Sequence, residues 1–263
     1  MHRRLLPLLA ALLLSFPAAA QTRPEVRPGP PPAVGVMWIG NSFFYFNNGI
    51  TSQVGALVTA AKLPAVRNAM ITMGGSGFDW HDVGSYFRPN AIGRYSFDAG
   101  NVIRFNPPGR LYDVAVMMDC SQCPLHPDLK ESFWATGRRH AETVRANGAR
   151  PVFFMSWAYA DAPEMTAQLA EAYTKLGNET GALVIPAGLA FARAMAERPD
   201  TPLYVADKRH PTLAGTYLAA AVSAATLYGP LPVELPYTAG LDPALAGFLQ
   251  RVAAETVRDY FKN

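Results

Sequence analysis

Cysteine is nearly absent from this chain, which holds only Cys120 and Cys123 among 263 residues. One disulfide at most can form within it, so a scaffold held together by disulfides is excluded. Charge is scarce as well. Asp, Glu, Lys and Arg make up 16% of the residues and the formal net charge is +3. Two of those positive charges, Arg3 and Arg4, lie in an N-terminal leader, which leaves a mature chain near about +1. Such a balance excludes the basic footprint of a nucleic-acid-binding protein and a polybasic membrane patch. No heptad, internal repeat or block of like charge is found, so coiled-coil and solenoid architectures are set aside. The Gly-x-Ser-x-Gly elbow of the α/β hydrolases is missing too.

The leader has the layout of an export signal. Met1-His-Arg3-Arg4 is basic, Leu5 to Phe16 is apolar, and Pro17-Ala18-Ala19-Ala20 offers small residues for cleavage after Ala20. The apolar run is too short for a membrane-spanning helix of about 20 residues. No cysteine follows the cleavage point, so no lipid anchor is expected. Residues 1–20 are therefore read as a signal peptide, and the mature chain as secreted or periplasmic with no membrane anchor. Residues 21–33 hold Pro24, Pro28, Pro30, Pro31 and Pro32 and are expected to be an extended linker. Residues 34–263 suit a single domain with a full core.

Apolar runs that read as buried strands occur at 34–39, 66–73, 114–118, 152–155 and 183–185. Helical spacing separates them: Ile50, Val54, Leu57, Val58 and Ala61 fall on one face over 47–62. Over 161–176 the face is Met165, Leu169, Tyr173 and Leu176. There Asp161 and Glu164 suggest a capping box and Gly177 a left-handed stop. A last helix opens at Asp242-Pro243. Strands alternating with helices predict an α/β fold, a parallel sheet of about five strands with helices on both faces. Residues 78–112, rich in Gly, Pro, Asn and aromatics, read as a long loop with room for one short helix, flanking the site.

Such sheets bind ligands beyond the carboxyl ends of their strands, and the polar residues fall there. Ser42 follows the first run, Gly75 the second, Asp119 to Gln122 the third, and Ser156-Trp157 the fourth. From a later loop come Asp207 and His210. A carboxylate three residues before a histidine can fix the orientation and tautomer of the imidazole, as deprotonating a hydroxyl requires. Ser42, Asp207 and His210 therefore suggest acyl transfer. The bland alternatives are a helix cap for Ser42, a loop cap for Asp207 and a structural role for His210. His81, His126 and His140 compete as bases. His140, beside Arg138 and Arg139, is expected in solvent, while His81 is read as a pocket or plain loop residue. Trp38, Trp80 and Trp157 are pocket walls or core.

Ile39-Gly-Asn-Ser42-Phe, Gly74-Gly75-Ser76-Gly77 and Asp207-x-x-His210-Pro resemble three blocks of the SGNH (GDSL-like) hydrolases, in a subgroup that opens on Gly-Asn-Ser-Phe. The resemblance spans 34–228. It implies a three-layer flavodoxin-like fold, Ser42 as nucleophile, and Asp207 and His210 as its partners. It also implies oxyanion donors at the N–H groups of Ser42 and Gly75, with Gly74 a one-residue alternative. The third block departs from the pattern, which has an asparagine there. Ungapped, the position is Gln122, whose amide could donate from one methylene further out; Met118 or Ser121 could equally fill the space. No metal or organic cofactor is implied. The expected substrate is a small-molecule or carbohydrate ester, leaning towards acetyl or short acyl groups, with no nucleic acid as partner. An acyltransferase using the same triad and a non-catalytic binding module on a degraded hydrolase scaffold are the competing readings. Cys120-Ser-Gln-Cys123 is expected to close a local disulfide; redox catalysis, or zinc held with His126, is weighed against it.

Overall fold

The computed structural model describes residues 22–232 and 234–262. The signal-peptide reading falls on residues 1–20, outside the described residues. Five strands form one parallel sheet: β1 (Gly35–Gly40), β2 (Arg67–Thr72), β5 (Val114–Met117), β6 (Arg150–Phe154) and β7 (Leu183–Ile185). Their order is β2-β1-β5-β6-β7, the 2-1-3-4-5 winding of flavodoxin-like sheets. Side chains alternate across the sheet as the pleat requires. Val36 and Trp38 of β1 enter one core and Met37 and Ile39 the other. Because β1 is buried on both faces, its sequence is apolar throughout rather than alternating.

On one face lie α2 (Ile50–Ala60), α6 (Ala187–Glu197), α7 (Leu213–Tyr228) and α8 (Pro243–Tyr260), and on the other α4 (Lys130–Ala146) and α5 (Met165–Thr180). The α7 helix is buried at every position after Leu213, which explains its run of alanines. Small side chains let the sheet, α2 and α8 all approach a helix that is apolar all round. Asp242 caps α8 as its sequence suggests, accepting from the N–H groups of Ala244 and Leu245. No helix among the described residues is long and apolar enough to cross a membrane.

Several boundaries differ from the expectation. The 47–62 helix opens only at Ile50, after a separate turn α1 (Ser42–Tyr45), because Asn47, Asn48 and Gly49 all take positive φ. The capping box at Asp161 does not form. The α5 helix starts at Met165, and Asp161 instead faces Lys208 at 3.6 Å. Gly177 lies inside that helix and Gly181 is its left-handed cap. A Cβ at Gly177 would come within 2.5 Å of Val184, so this glycine serves close helix–strand packing. Residues 78–112 hold more structure than a loop: a 3₁₀ turn at Phe78–Trp80, the short α3 (Val83–Tyr86), and an antiparallel ribbon of β3 (Tyr95–Phe97) and β4 (Ile103–Phe105). Residues 22–33 form no helix or strand and are tied to the domain. Thr22 donates to Glu171, and the Glu25 N–H donates to Asn178.

Candidate active site

β1 delivers the chain to Gly40, and Asn41 caps the turn that follows, its Oδ1 accepting from the Phe43 N–H. Ser42 is the first residue of that turn and only 8% exposed. Its Oγ lies 2.8 Å from Nε2 of His210. Nδ1 of His210 lies 2.5 Å from Oδ2 of Asp207. The other carboxylate oxygen, Oδ1, accepts from the N–H groups of Arg209 and His210 at 2.8 and 2.9 Å. One carboxylate therefore shapes the turn with one oxygen and orients the imidazole with the other. The histidine hydrogen bond, with the two backbone N–H bonds behind it, lowers the Asp207 carboxyl to about 2. It stays ionised at any pH where an imidazole changes charge.

The His210 loop is fixed from three sides. Phe46 stacks on the imidazole at 4.4 Å, and Phe43 meets it edge-on at 5.5 Å. The Trp157 indole N–H donates to the Arg209 carbonyl, and the Ala160 N–H donates to the Lys208 carbonyl. Asn47, just past the Ser42–Tyr45 turn, donates to the Pro211 carbonyl and to Thr216. Serine and histidine, 168 residues apart, are thereby held in register by side chains from both segments.

Gly75 takes φ +73° in a turn closed by the Ser76 N–H on the Met73 carbonyl, a conformation that favours glycine. Its N–H makes no hydrogen bond among the described residues and lies just past the end of β2, beside the β1 end that carries Ser42. Asn41 joins these loops: its Nδ2 donates to the carbonyls of Ser76 and Asp119 at 3.0 and 3.2 Å. Asn41, directly before Ser42, is thus a brace between the loops that follow β1, β2 and β5.

Gln122, the nominated third oxyanion donor, is exposed in the loop after β5. Its side chain makes no hydrogen bond among the described residues, while its carbonyl accepts from the N–H groups of Leu125 and His126. The buried side chain of this loop is Asp119, 2% exposed, whose Oδ1 accepts from the N–H groups of Phe78 and Cys120 at 2.7 and 2.8 Å. Burial raises its carboxyl to about 7 against those two bonds. A signal was present in Asp119 itself, an acid directly after an apolar run.

The remaining expectations sort clearly. His140 is buried, not solvated, and its Nε2 pairs with the Phe78 carbonyl at 2.9 Å; burial lowers its pKa. His81 is buried between Ser76 and Tyr86 and is held down to about 4 by that burial. Trp38 and Trp157 are fully buried, while Trp80 is exposed. Cys120 and Cys123 are joined in a disulfide, so neither offers the thiolate that a zinc site with His126 would need. Asp119 and the two sulfurs cluster within 4.8 Å, and the same bond removes them as a ligand set.

No family model matches the chain, and no curated protein matches it in sequence. Solved structures do resemble it. A protein assigned to the SGNH hydrolases from Slackia heliotrinireducens aligns at 24% identity with a TM-score of 0.55, over 74% of this chain and 98% of its own. A DUF4886 family protein from Bacteroides uniformis aligns at 18% identity and a TM-score of 0.61, over 87% and 96%. An acetylxylan esterase from Geobacillus stearothermophilus aligns at 16% identity and a TM-score of 0.53, over 77% and 96%. The fold of this chain is that of the SGNH hydrolases.

Proposed function

We propose that this protein is an exported serine ester hydrolase. The observation that carries the reading is the continuous line from Ser42 Oγ through His210 to Asp207, at 2.8 and 2.5 Å. In this mechanism neutral His210 takes the Ser42 proton at Nε2 as Oγ attacks the ester carbonyl. Asp207 accepts from Nδ1–H throughout, which fixes the tautomer and stabilises the imidazolium. The oxyanion is met by the N–H groups of Ser42 and Gly75. His210 then protonates the leaving alcohol. Water, deprotonated by the same imidazole, releases the acid from the acyl-enzyme. The chain's own residues supply every proton transfer, and the reading calls for no cofactor.

Hydrolysis is favoured over transfer to an alcohol acceptor by the exposure of the base and its carboxylate. The His210 and Asp207 side chains are 27% and 43% exposed. Water can reach the imidazole that must activate it for deacylation, whereas a transferase must exclude it. An intact hydrogen-bonded triad also speaks against a degraded, non-catalytic scaffold. The substrate reading is an acetyl or other short acyl ester, with carbohydrate esters foremost. It rests on the fold shared with an acetylxylan esterase and on the export signal.

A panel of p-nitrophenyl esters of graded chain length, run on the wild type and Ser42→Ala, tests the reading. Fluorophosphonate labelling of the wild type alone is the second arm. Turnover of short esters that is lost in Ser42→Ala, together with labelling at Ser42, is expected. Failure of the wild type to label would refute catalysis at this site.

A further inference from the structure

The β3–β4 ribbon leaves the domain with one apolar face uncovered. In its register Tyr95 faces Phe105 and Phe97 faces Ile103, while Ser96 faces Arg104. The pleat therefore places Tyr95, Phe97, Ile103 and Phe105 on one face and Ser96 and Arg104 on the other. Those four apolar residues are 49–62% exposed, and Val102 at the tip is 49% exposed. A two-stranded ribbon is marginal in water by itself. This one is held at its base, where Arg67 donates to Asn106 and to the Gly93 carbonyl, and the Asn106 amide also donates to the Gly93 carbonyl. Exposed apolar patches of this kind mark interaction surfaces.

The charge around the ribbon is one-sided. From 88 to 110 the chain carries Arg88, Arg94, Arg104 and Arg110 against the single acid Asp98. The near-neutral total of the chain conceals this local surplus. Arg104 pairs with Asp98. Arg94 lies over the Phe105 ring at 5.8 Å, and neither it nor Arg88 nor Arg110 has a carboxylate partner among the described residues. A partner of negative charge is indicated.

Two alternatives fit less well. A polysaccharide would stack on rings that share a plane, but Tyr95 stands at 82° to Phe97 and 69° to Phe105. A second copy of the chain would bring the same arginines face to face. Five half-exposed side chains of this size also offer only roughly 500 Å², short of the ~800 Å² per partner of a stable dimer. Tilted aromatics and aliphatic tip residues, with Arg94 over Phe105 beside them, suit the headgroup layer of a bilayer. There rings and methyl groups enter the acyl boundary while guanidinium groups meet phosphate.

We propose that the β3–β4 ribbon is a docking element that seats this protein on an anionic phospholipid surface. Arg67 opens β2, whose far end leads to Gly75, so the ribbon's base lies about 17 Å of strand away from the Ser42 end of the sheet. Docking is therefore independent of the proposed ester hydrolysis.

The test is co-sedimentation of the full mature chain with vesicles of phosphatidylcholine alone, or with phosphatidylglycerol at about one lipid in three. The expected result is binding to the second kind only, weakened as salt rises from about 0.1 to 0.5 M. Phe97→Ser with Ile103→Ser should weaken binding by at least about tenfold, and separately Arg94→Gln by about fivefold. Both should leave the melting temperature and hydrolysis of a soluble ester unchanged. A third variant, Ile103→Trp, should show a blue shift in emission on adding the anionic vesicles. The proposal is overturned if the wild type ignores phosphatidylglycerol, if the ribbon variants bind like the wild type, or if the emission of the Ile103→Trp variant stays put. Sedimentation showing a wild-type dimer that the Phe97→Ser, Ile103→Ser variant abolishes would likewise overturn it, in favour of self-association.

Discussion

Replacing Asp207 by Asn tests the proposed mechanism at its most specific point. The substitution keeps the size of the side chain, and the two N–H groups of Arg209 and His210 still need an acceptor where Oδ1 now accepts them. The amide oxygen will therefore occupy that position, which leaves the NH₂ group facing Nδ1 of His210. An NH₂ group can only donate, so Nδ1 must give up its proton and become the acceptor. The imidazole proton then resides on Nε2, 2.8 Å from Ser42, on the nitrogen that has to take the serine proton. The turn is retained and the base is in the wrong tautomer. Loss of kcat should be about 10³- to 10⁴-fold, the scale known for this substitution in a serine triad, with KM little changed because no substrate contact is lost. Asp207→Ala makes the informative comparison. It removes the carboxylate without imposing a tautomer, so water can accept from Nδ1 at this half-exposed position. The Asn variant should be at least as slow as the Ala variant. Steady-state kinetics on a short p-nitrophenyl ester, with circular dichroism to verify the fold, measure both. An Asn variant within about tenfold of wild type would refute the assignment of Asp207 as the orienting group.

Other expectations follow from the same geometry. Ser42→Ala should abolish turnover while leaving the fold intact, and His210→Ala should lose a comparable factor, because triad members act as a unit; active-site titration beside thermal melts separates the two effects. Gln122→Ala should change kcat by no more than about threefold, since the side chain is exposed and no hydrogen bond among the described residues fixes its amide in place; a loss of about 100-fold would show it to be an oxyanion donor. Asp119 titrates near 7 in the fold against about 3.9 when unfolded, so the folded state holds the extra proton between those values. Its contribution to stability must fall as pH rises from roughly 4 to 7, by up to about 1.4 kcal/mol per unit. Asp119→Asn removes that slope, and urea titrations of both proteins at about pH 5 and 8 should differ accordingly; parallel profiles would count against it. Asp207 has the opposite sign: its depressed value stabilises the fold above about 3.9 and is lost as pH falls towards about 2. Reducing the Cys120–Cys123 disulfide should cost about 2 kcal/mol of stability from loop entropy, read as a lower denaturation midpoint in dithiothreitol.

Much of this molecule was legible in order along the chain. Five apolar runs gave the strands, because a strand buried on both faces has no polar position to obscure it. Asp242-Pro243 gave the start of α8, because a cap depends on neighbours two and three residues away. The Asp207–His210 pairing was legible for the same reason: three residues of one turn bring carboxylate and imidazole together locally. Residues whose roles depend on distant partners could not be read this way. That His140 is buried against Phe78 depends on how α4 lies on the sheet, and the arginines beside it in sequence pointed to solvent. Gly177 looked like a helix stop, and only the approach of Val184 shows it to be a packing glycine. That Asp119 is buried while Gln122 is exposed depends on the disulfide and the turn around it, which decide which side chain of that loop faces inward. Sequence alone determined the strands and the pairing of Asp207 with His210, since these follow from apolar runs and from contacts within a turn. The tertiary structure decided which loop side chains are buried, which aromatics clamp the imidazole and which are left uncovered on the ribbon. Burial is a property of what packs on a residue from elsewhere in the chain, and no local pattern encodes it.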